Sequence, residues 1–211
     1  MKVCEIFTSI QGESSYAGVP CIFIRMTGCN LRCSYCDTQY AYSEGRELTE
    51  QEILSEVSRI GLKIVEITGG EPLLQHDVPR LVRRLLDDGR TVLIETNGSQ
   101  DIKEIDTRAI IILDIKTPGS GMSGEISISN LDYLKPADEL KFVIASRDDY
   151  EWSRNFLRTH PVIAKCTVLF SPVFGKLDPQ DLSRWIIEDR LDVRLNVQLQ
   201  KYIYGPDQRG V

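Results

Sequence analysis

Cys21-Ile22-Phe23-Ile24-Arg25-Met26 runs through Thr27 into Gly28-Cys29-Asn30-Leu31-Arg32-Cys33-Ser34-Tyr35-Cys36-Asp37-Thr38. The first run reads as a buried strand, and the second is a loop leaving its C-terminal end. That loop carries three thiols at Cys-x3-Cys-x2-Cys spacing. Three thiolates on one short loop can face a common point, and thiolates are the ligands of cubane iron–sulfur clusters. A cluster of four irons held by three cysteines keeps one iron without a protein ligand. An open position on a metal is where a small molecule binds and reacts.

Other uses of the cysteines fit less well. A structural zinc site draws on four ligands, often two Cys-x2-Cys pairs or added histidines. The only histidines here are His76 and His160, and there is no second Cys-x2-Cys. A disulfide framework does not suit three cysteines crowded into eight positions of a chain without an export signal. The other thiols, Cys4, Cys21 and Cys166, lie in apolar, strand-like runs and read as small buried hydrophobes.

Composition narrows the function classes. With 211 residues, 42% hydrophobic and 27% charged, the chain suits a single globular domain over 1–211. Its net charge of −6 argues against a broad phosphate-binding surface, so nucleic acid is not the expected partner. No segment approaches the ~20 apolar residues that span a bilayer, so no membrane partner is expected either. The first residues lack an apolar signal core, and the expected compartment is reducing cytoplasm, where a thiolate-held cluster survives.

Along the chain, apolar strands alternate with helical patterns. Pro20–Met26 is the first strand. Polar connector fills 39–48, and Thr49 with Glu52 forms a capping box that opens a helix striped by Ile53, Leu54, Val57 and Ile60. Gly61 ends it. Strands follow at 63–68, 91–95, 110–115, 139–144 and 165–170, with helices at 78–86, 149–158 and after Asp178-Pro179. Residues 101–109 read as a short helical turn, and 193–199 as a final strand. Alternation of this kind builds βαβ units and a parallel sheet. Six strands fall short of the eight of a closed barrel, so the expected fold is α/β, a partial, open parallel β/α barrel of about six strands.

Ligands of parallel α/β folds sit at the C-terminal strand ends. Those ends carry the thiol loop, Thr68-Gly69-Gly70-Glu71-Pro72, Glu95-Thr96-Asn97-Gly98 and Asp114-Ile115-Lys116. Paired glycines let backbone close on a ligand. Glu95 is either a solvent-reaching strand end or a site carboxylate. Asp114 and Lys116 either pair as a salt bridge or contact a ligand. Asp37 and Thr38 read in isolation as local caps, although oxygen ligands beside the thiol loop suit magnesium.

Cys29-x3-Cys33-x2-Cys36, with aromatic Tyr35 before the last thiol, resembles the signature of radical S-adenosylmethionine (SAM) enzymes. Thr68-Gly69-Gly70-Glu71-Pro72 resembles their glycine motif. Within that superfamily the chain resembles the 7-carboxy-7-deazaguanine synthase family. The resemblance is carried by Ser9-Ile10-Gln11-Gly12-Glu13, Ala17-Gly18-x-Pro20, Phe23-Ile24-Arg25, Gly28–Cys33, Cys36-Asp37-Thr38 and Glu95-Thr96-Asn97-Gly98. Two departures stand out: Tyr35 where the family often has tryptophan, and Gln200 where a histidine is expected before Lys201.

The resemblance implies a fold of the radical SAM type and a lyase that contracts the ring of 6-carboxy-5,6,7,8-tetrahydropterin to 7-carboxy-7-deazaguanine. Ammonia is lost, on the route to queuosine and other 7-deazapurines. It implies a 4Fe-4S cluster on Cys29, Cys33 and Cys36, SAM used as a true cofactor, and Mg2+ on Thr38. Cofactor contacts carry over to Tyr35, Asp37, Gly70 and Glu71 of the glycine motif, Asp114, Lys116 and Ser171. Substrate contacts carry over to Ile10, Gln11, Gly12, Arg25 and Thr68, with the terminal carboxylate at Val211. Arg25 offers a planar fork suited to a carboxylate, and Gln11 and Glu13 suit a pterin's donor–acceptor edge. A flavodoxin or ferredoxin-type electron donor and a homodimer are the implied partners. The competing readings are a glycyl-radical-enzyme activase and a non-catalytic iron–sulfur carrier, the latter lacking a fourth cysteine near the loop.

Overall fold

The computed structural model describes residues 1–161 and 165–211. Its framework is a nine-stranded sheet: β1 (Lys2–Ile10), β2 (Pro20–Met26), β3 (Arg46–Glu47), β4 (Ile64–Gly69), β5 (Thr91–Thr96), β6 (Ile110–Lys116), β7 (Glu139–Ile144), β8 (Thr167–Pro172) and β9 (Arg194–Leu195). The spatial order is β3-β1-β2-β4-β5-β6-β7-β8-β9. From β2 through β4 to β9 every neighbouring pair is parallel, while β1 runs antiparallel to both β2 and β3.

The six long parallel strands are those expected from the sequence, and the sheet is that of a partial, open β/α barrel. Three strands are additional or altered. β1 lies within residues placed ahead of the first strand, and β3 within a stretch read as connector. The expected strand over 193–199 shrinks to the two residues of β9. Residues 101–109 form turns, not a helix. β1 is hard to read from sequence because β3 covers only its first two residues, and Cys4-Glu5-Ile6-Phe7-Thr8 lacks the continuous apolar run of a doubly buried strand.

Among the described residues the α-helices are α1 (Glu50–Ile60), α2 (Val78–Asp87), α3 (Asn130–Tyr133), α4 (Arg147–Thr159), α5 (Pro179–Glu188) and α6 (Leu199–Tyr204). The capping box of α1 is formed by Thr49 and Glu52, and Gly61 closes the helix with a left-handed φ of 81°. A cap of this kind contributes about 1 kcal/mol. Asp178 caps α5 through the Gln180 amide, with Pro179 at the first helical position. α3 and α6 are short and had no periodic stripe long enough to announce them.

The strands bury their two faces differently. Ile22, Ile24 and Met26 of β2, Val65 and Ile67 of β4, Val92 and Ile94 of β5, Ile111, Leu113 and Ile115 of β6, and Leu140, Phe142 and Ile144 of β7 pack with the helices into the main core. The alternate residues face inward. At the N-terminal strand ends these are apolar: Cys21, Phe23, Ile64, Leu93, Ile110 and Ile112 form a separate cluster, with Phe7 stacked on Phe23 at 5.0 Å. One step further along, the inner face turns polar, with Arg25, Thr68, Glu95, Asp114 and Lys141. Strict alternation along a strand makes this division possible.

The two flanks of the sheet are also tied across the interior. Ser14 and Ser15, in the loop between β1 and β2, donate backbone N–H groups to Asn196 Oδ1 at 3.3 Å and Glu139 Oε1 at 2.8 Å. The Leu199 amide returns to the Gly12 carbonyl at 2.8 Å.

Candidate active site

The thiol loop leaves β2 at Met26 and is held by backbone bonds to the loop after β4. The Gly28 carbonyl accepts the Glu71 amide at 2.7 Å, and the Met26 carbonyl accepts the Gly70 amide at 3.2 Å. This approach is close enough to need glycine: a Cβ at Gly70 would collide with the Gly28 carbonyl and stand 2.9 Å from Cys29 Cβ. Gly69 adopts a φ of 133°, which L side chains rarely take.

Glu71 continues the lock. Its carboxylate, completely buried, accepts from the Leu73 amide at 3.0 Å, Thr96 Oγ1 at 2.8 Å and the Asn97 amide at 2.7 Å. Burial raises its pKa above the usual carboxylate value, and these hydrogen bonds offset part of that rise. Its oxygens are therefore spent on the protein, and Glu71 does not line the cavity. Its carboxylate serves as an internal brace. Ser171 likewise turns from the cavity, its buried hydroxyl donating to Asn196 Oδ1 at 3.1 Å.

The remaining site residues expected from the sequence line one cavity of about 700 Å3. Cys29, Cys33, Cys36, Tyr35, Asp37, Thr38 and Gly70 are in its wall, with Asp114 and Lys116. Ile10, Gln11, Gly12, Glu13, Arg25 and Thr68 line it too, and Val211 of the tail reaches the same space. Sequence reasoning passed over Glu66 and Lys141, which also line it. The signal was present: Glu66 is the one ionisable residue of β4, and Lys141 stands two positions from Glu139 in the buried β7, where a charge demands a partner.

Those partners are visible. Lys141 donates to Glu13 and, at 2.7 Å, to Glu95 Oε1. Burial alone would lower the Lys141 pKa, but the Glu13 and Glu95 carboxylates hold it well above its ordinary value. For Glu13 burial works upward, and Lys141 overcomes it to bring the carboxyl down to about 2. Glu66 accepts from Gln11 Nε2 at 2.8 Å. Burial, reinforced by the Glu95 charge, pushes the Glu66 carboxyl up to about 8.

Arg25 pairs through Nε with Glu5 Oε1 at 2.8 Å, across register partners of β1 and β2. The ion pair and the cavity position coexist. Lys116 donates to Asp114 Oδ2 at 2.7 Å, while Asp114 Oδ1 is buried without a partner. Tyr35 donates to the Val143 carbonyl at 3.3 Å.

The tail packs onto this site in spite of the glutamine at 200. Gln200 Nε2 donates to Glu13 Oε1 at 3.2 Å, and Gln198 Nε2 to the same atom at 3.0 Å. Lys201 pairs with Asp37 at 2.6 Å, and the Arg209 guanidinium lies 3.6 Å over the Tyr40 ring.

The three thiols fit a cluster. Burial raises the pKa of Cys29 and Cys33, an environment in which bare thiolates need a positive partner. Polar hydrogens stand near the sulfurs: Asn97 Nδ2 lies 3.9 Å from Cys29 Sγ, and Thr38 Oγ1 3.8 Å from Cys36 Sγ. Among the described residues no three His, Cys, Asp or Glu side chains gather around a single metal-ion position. A cluster spreads its thiolates over separate irons, so the two findings are compatible.

Comparison with known proteins adds to this geometry. The sequence model of the Radical SAM superfamily matches residues 23–113. The chain is 46% identical over 226 residues to the 7-carboxy-7-deazaguanine synthase of Koribacter versatilis (strain Ellin345), covering all of both chains. It is 44% identical to that of Chlorobaculum tepidum, covering all of this chain and 97% of the other. The crystal structure of QueE from Escherichia coli superposes with a TM-score of 0.79 at 23% identity, over 94% of this chain and 93% of that one.

Two outcomes are expected. Gly70→Ala drives the thiol loop from its place, so the protein keeps its far-ultraviolet spectrum but binds a minor fraction of the wild-type iron and sulfide on anaerobic reconstitution. Glu66 is protonated more readily folded than unfolded, so it costs stability progressively as pH rises from about 4.5 to about 8. Glu66→Gln therefore gains stability relative to wild type across that window, by at most about 1.4 kcal/mol per pH unit, in denaturant titrations at stepped pH.

Proposed function

This chain belongs to the 7-carboxy-7-deazaguanine synthase family within the radical SAM superfamily, and from that we propose that it contracts the ring of 6-carboxy-5,6,7,8-tetrahydropterin to 7-carboxy-7-deazaguanine with loss of ammonia. The observation that carries the reading is the single cavity shared by three thiols and an acceptor-rich polar floor.

Cys29, Cys33 and Cys36 hold the 4Fe-4S cluster in this reading, and SAM lies along Tyr35, Asp37, Gly70, Asp114 and Lys116. When bound, the cluster and SAM together supply a hydrogen-abstracting radical. The chain's own residues do the rest. Arg25 offers its free guanidinium nitrogens to the substrate carboxylate, its Nε being engaged by Glu5. Gln11, Gly12, Glu13 and Thr68 hold the pterin ring. Thr38 supplies a hydroxyl oxygen for Mg2+, a cation that prefers oxygen ligands.

In this reading the Val211 carboxylate reaches the substrate, and Arg209 straps the tail to Tyr40, Glu44 and Glu5 beside the cavity. An activase acting on a partner protein has no need of a floor built from two carboxylates and three amides. No helix among the described residues is long and apolar enough to cross a membrane. A reducing cytoplasm, a flavodoxin or ferredoxin-type donor and a homodimer complete the proposal.

Anaerobic incubation of the reconstituted protein with dithionite, SAM, Mg2+ and 6-carboxy-5,6,7,8-tetrahydropterin is expected to give 7-carboxy-7-deazaguanine. Cys33→Ala abolishes it, and Thr38→Ala lowers it at limiting Mg2+. Cleavage of SAM without that product would contradict the proposal.

A further inference from the structure

Lys141 sits on the inner face of β7 as the register partner of Asp114, with its side chain only 6% exposed. The reaction proposed above gives it no task. A buried ammonium is costly unless paired, and two carboxylates facing one cavity are costly unless something lies between them. Lys141 answers both, because its ammonium bonds Glu13 on one side and Glu95 Oε1 on the other.

The bridge has a geometric consequence. Glu95 Oε2 accepts from Thr68 Oγ1 at 3.2 Å, and Glu13 Oε1 accepts from Gln198 and Gln200. Each carboxylate is thus held at both oxygens, Glu95 by Thr68 and Lys141 of two other strands, Glu13 by Lys141 and the tail. Gln11 is held as well, its Oε1 taking the Glu13 amide and its Nε2 donating to Glu66. A lysine ammonium donates only, so both carboxylates it bridges are set as acceptors.

We propose that Lys141 is the positioning residue that sets the selectivity of the cavity floor. By bridging Glu13 and Glu95 it fixes two acceptors against a flat heterocycle that presents adjacent N–H donors, such as the 2-amino-4-oxo-pyrimidine edge of a pterin. The inference rests on the pterin reading above and deepens it. A ring with a carbonyl in place of the exocyclic amine brings an acceptor against a carboxylate and is rejected. Removing the lysine leaves one carboxyl free to protonate and donate, and the rejection is lost.

The test compares wild type, Lys141→Met, Lys141→Arg and Glu95→Gln, each reconstituted with cluster and SAM and titrated by fluorescence with 6-carboxypterin and 6-carboxylumazine. Iron content and substrate-free SAM cleavage report on folding. Wild type is expected to prefer the pterin by at least about tenfold, the cost of one mismatched buried hydrogen bond. In Lys141→Met and Glu95→Gln the preference falls to within about threefold, and Lys141→Arg restores most of it. In turnover, Lys141→Met raises KM for the tetrahydropterin by a larger factor than it lowers kcat. A Lys141→Met protein with the wild-type preference overturns the inference, as does an active wild type with no preference. A wild type that neither binds nor converts the pterin overturns the underlying reading too.

Discussion

The hydrogen bond from the Glu71 amide to the Gly28 carbonyl fixes where the chemistry can happen. It joins the loop after β2 to the loop after β4, and it exists only because Gly70 carries no side chain to hold the loops apart. The Glu71 carboxylate then binds Thr96 and the Asn97 amide, and the Asn97 side chain turns back toward Cys29 and Asn30. Three strand ends are locked through one buried residue, by its amide to the loop after β2 and by its carboxylate to the end of β5. Such a group, taken from water, is tolerable only while its donors remain. The thiols are therefore presented by a rigid edge and not by a free loop.

The second organising feature is the division of one sheet into two chemistries. Facing the helices, β2 and β4–β8 are uniformly apolar and supply the core. On the inner face, an apolar plug around Phe23, Leu93 and Ile112 closes the N-terminal end. Above it lie Glu66, Thr68, Glu95, Asp114 and Lys141, with Lys141 paired to Glu95 and Glu13, and Asp114 to Lys116. The plug keeps water from the floor, and low polarity beneath the floor strengthens every ion pair on it. The site is built on strands because strands hold alternate residues to one face.

Much of this could be read beforehand. The thiol spacing, the glycine pair and the order of strands and helices point to an open parallel barrel with its site at the C-terminal strand ends. The bracing bonds of Glu71 are not legible, because sequence shows a motif and not where its carboxylate points. In the fold its oxygens turn toward Thr96 and Asn97. Lys141 and Glu66 are not legible as site residues, since a charge in a buried strand shows its meaning only once its partners from other strands are beside it. The antiparallel strand β1 and the tail helix α6 carry no strong periodic signal. Their positions follow from tertiary bonds, such as Arg25 to Glu5 and the Leu199 amide to the Gly12 carbonyl.

The central claim is that these three thiols hold an iron cluster with one position open to SAM. The electron paramagnetic resonance spectrum of the reduced, anaerobically reconstituted protein, recorded before and after SAM is added, tests it most directly. The account predicts a four-iron cluster signal that shifts when SAM is added. A signal unchanged by SAM, or a protein that holds zinc and no iron, would contradict it.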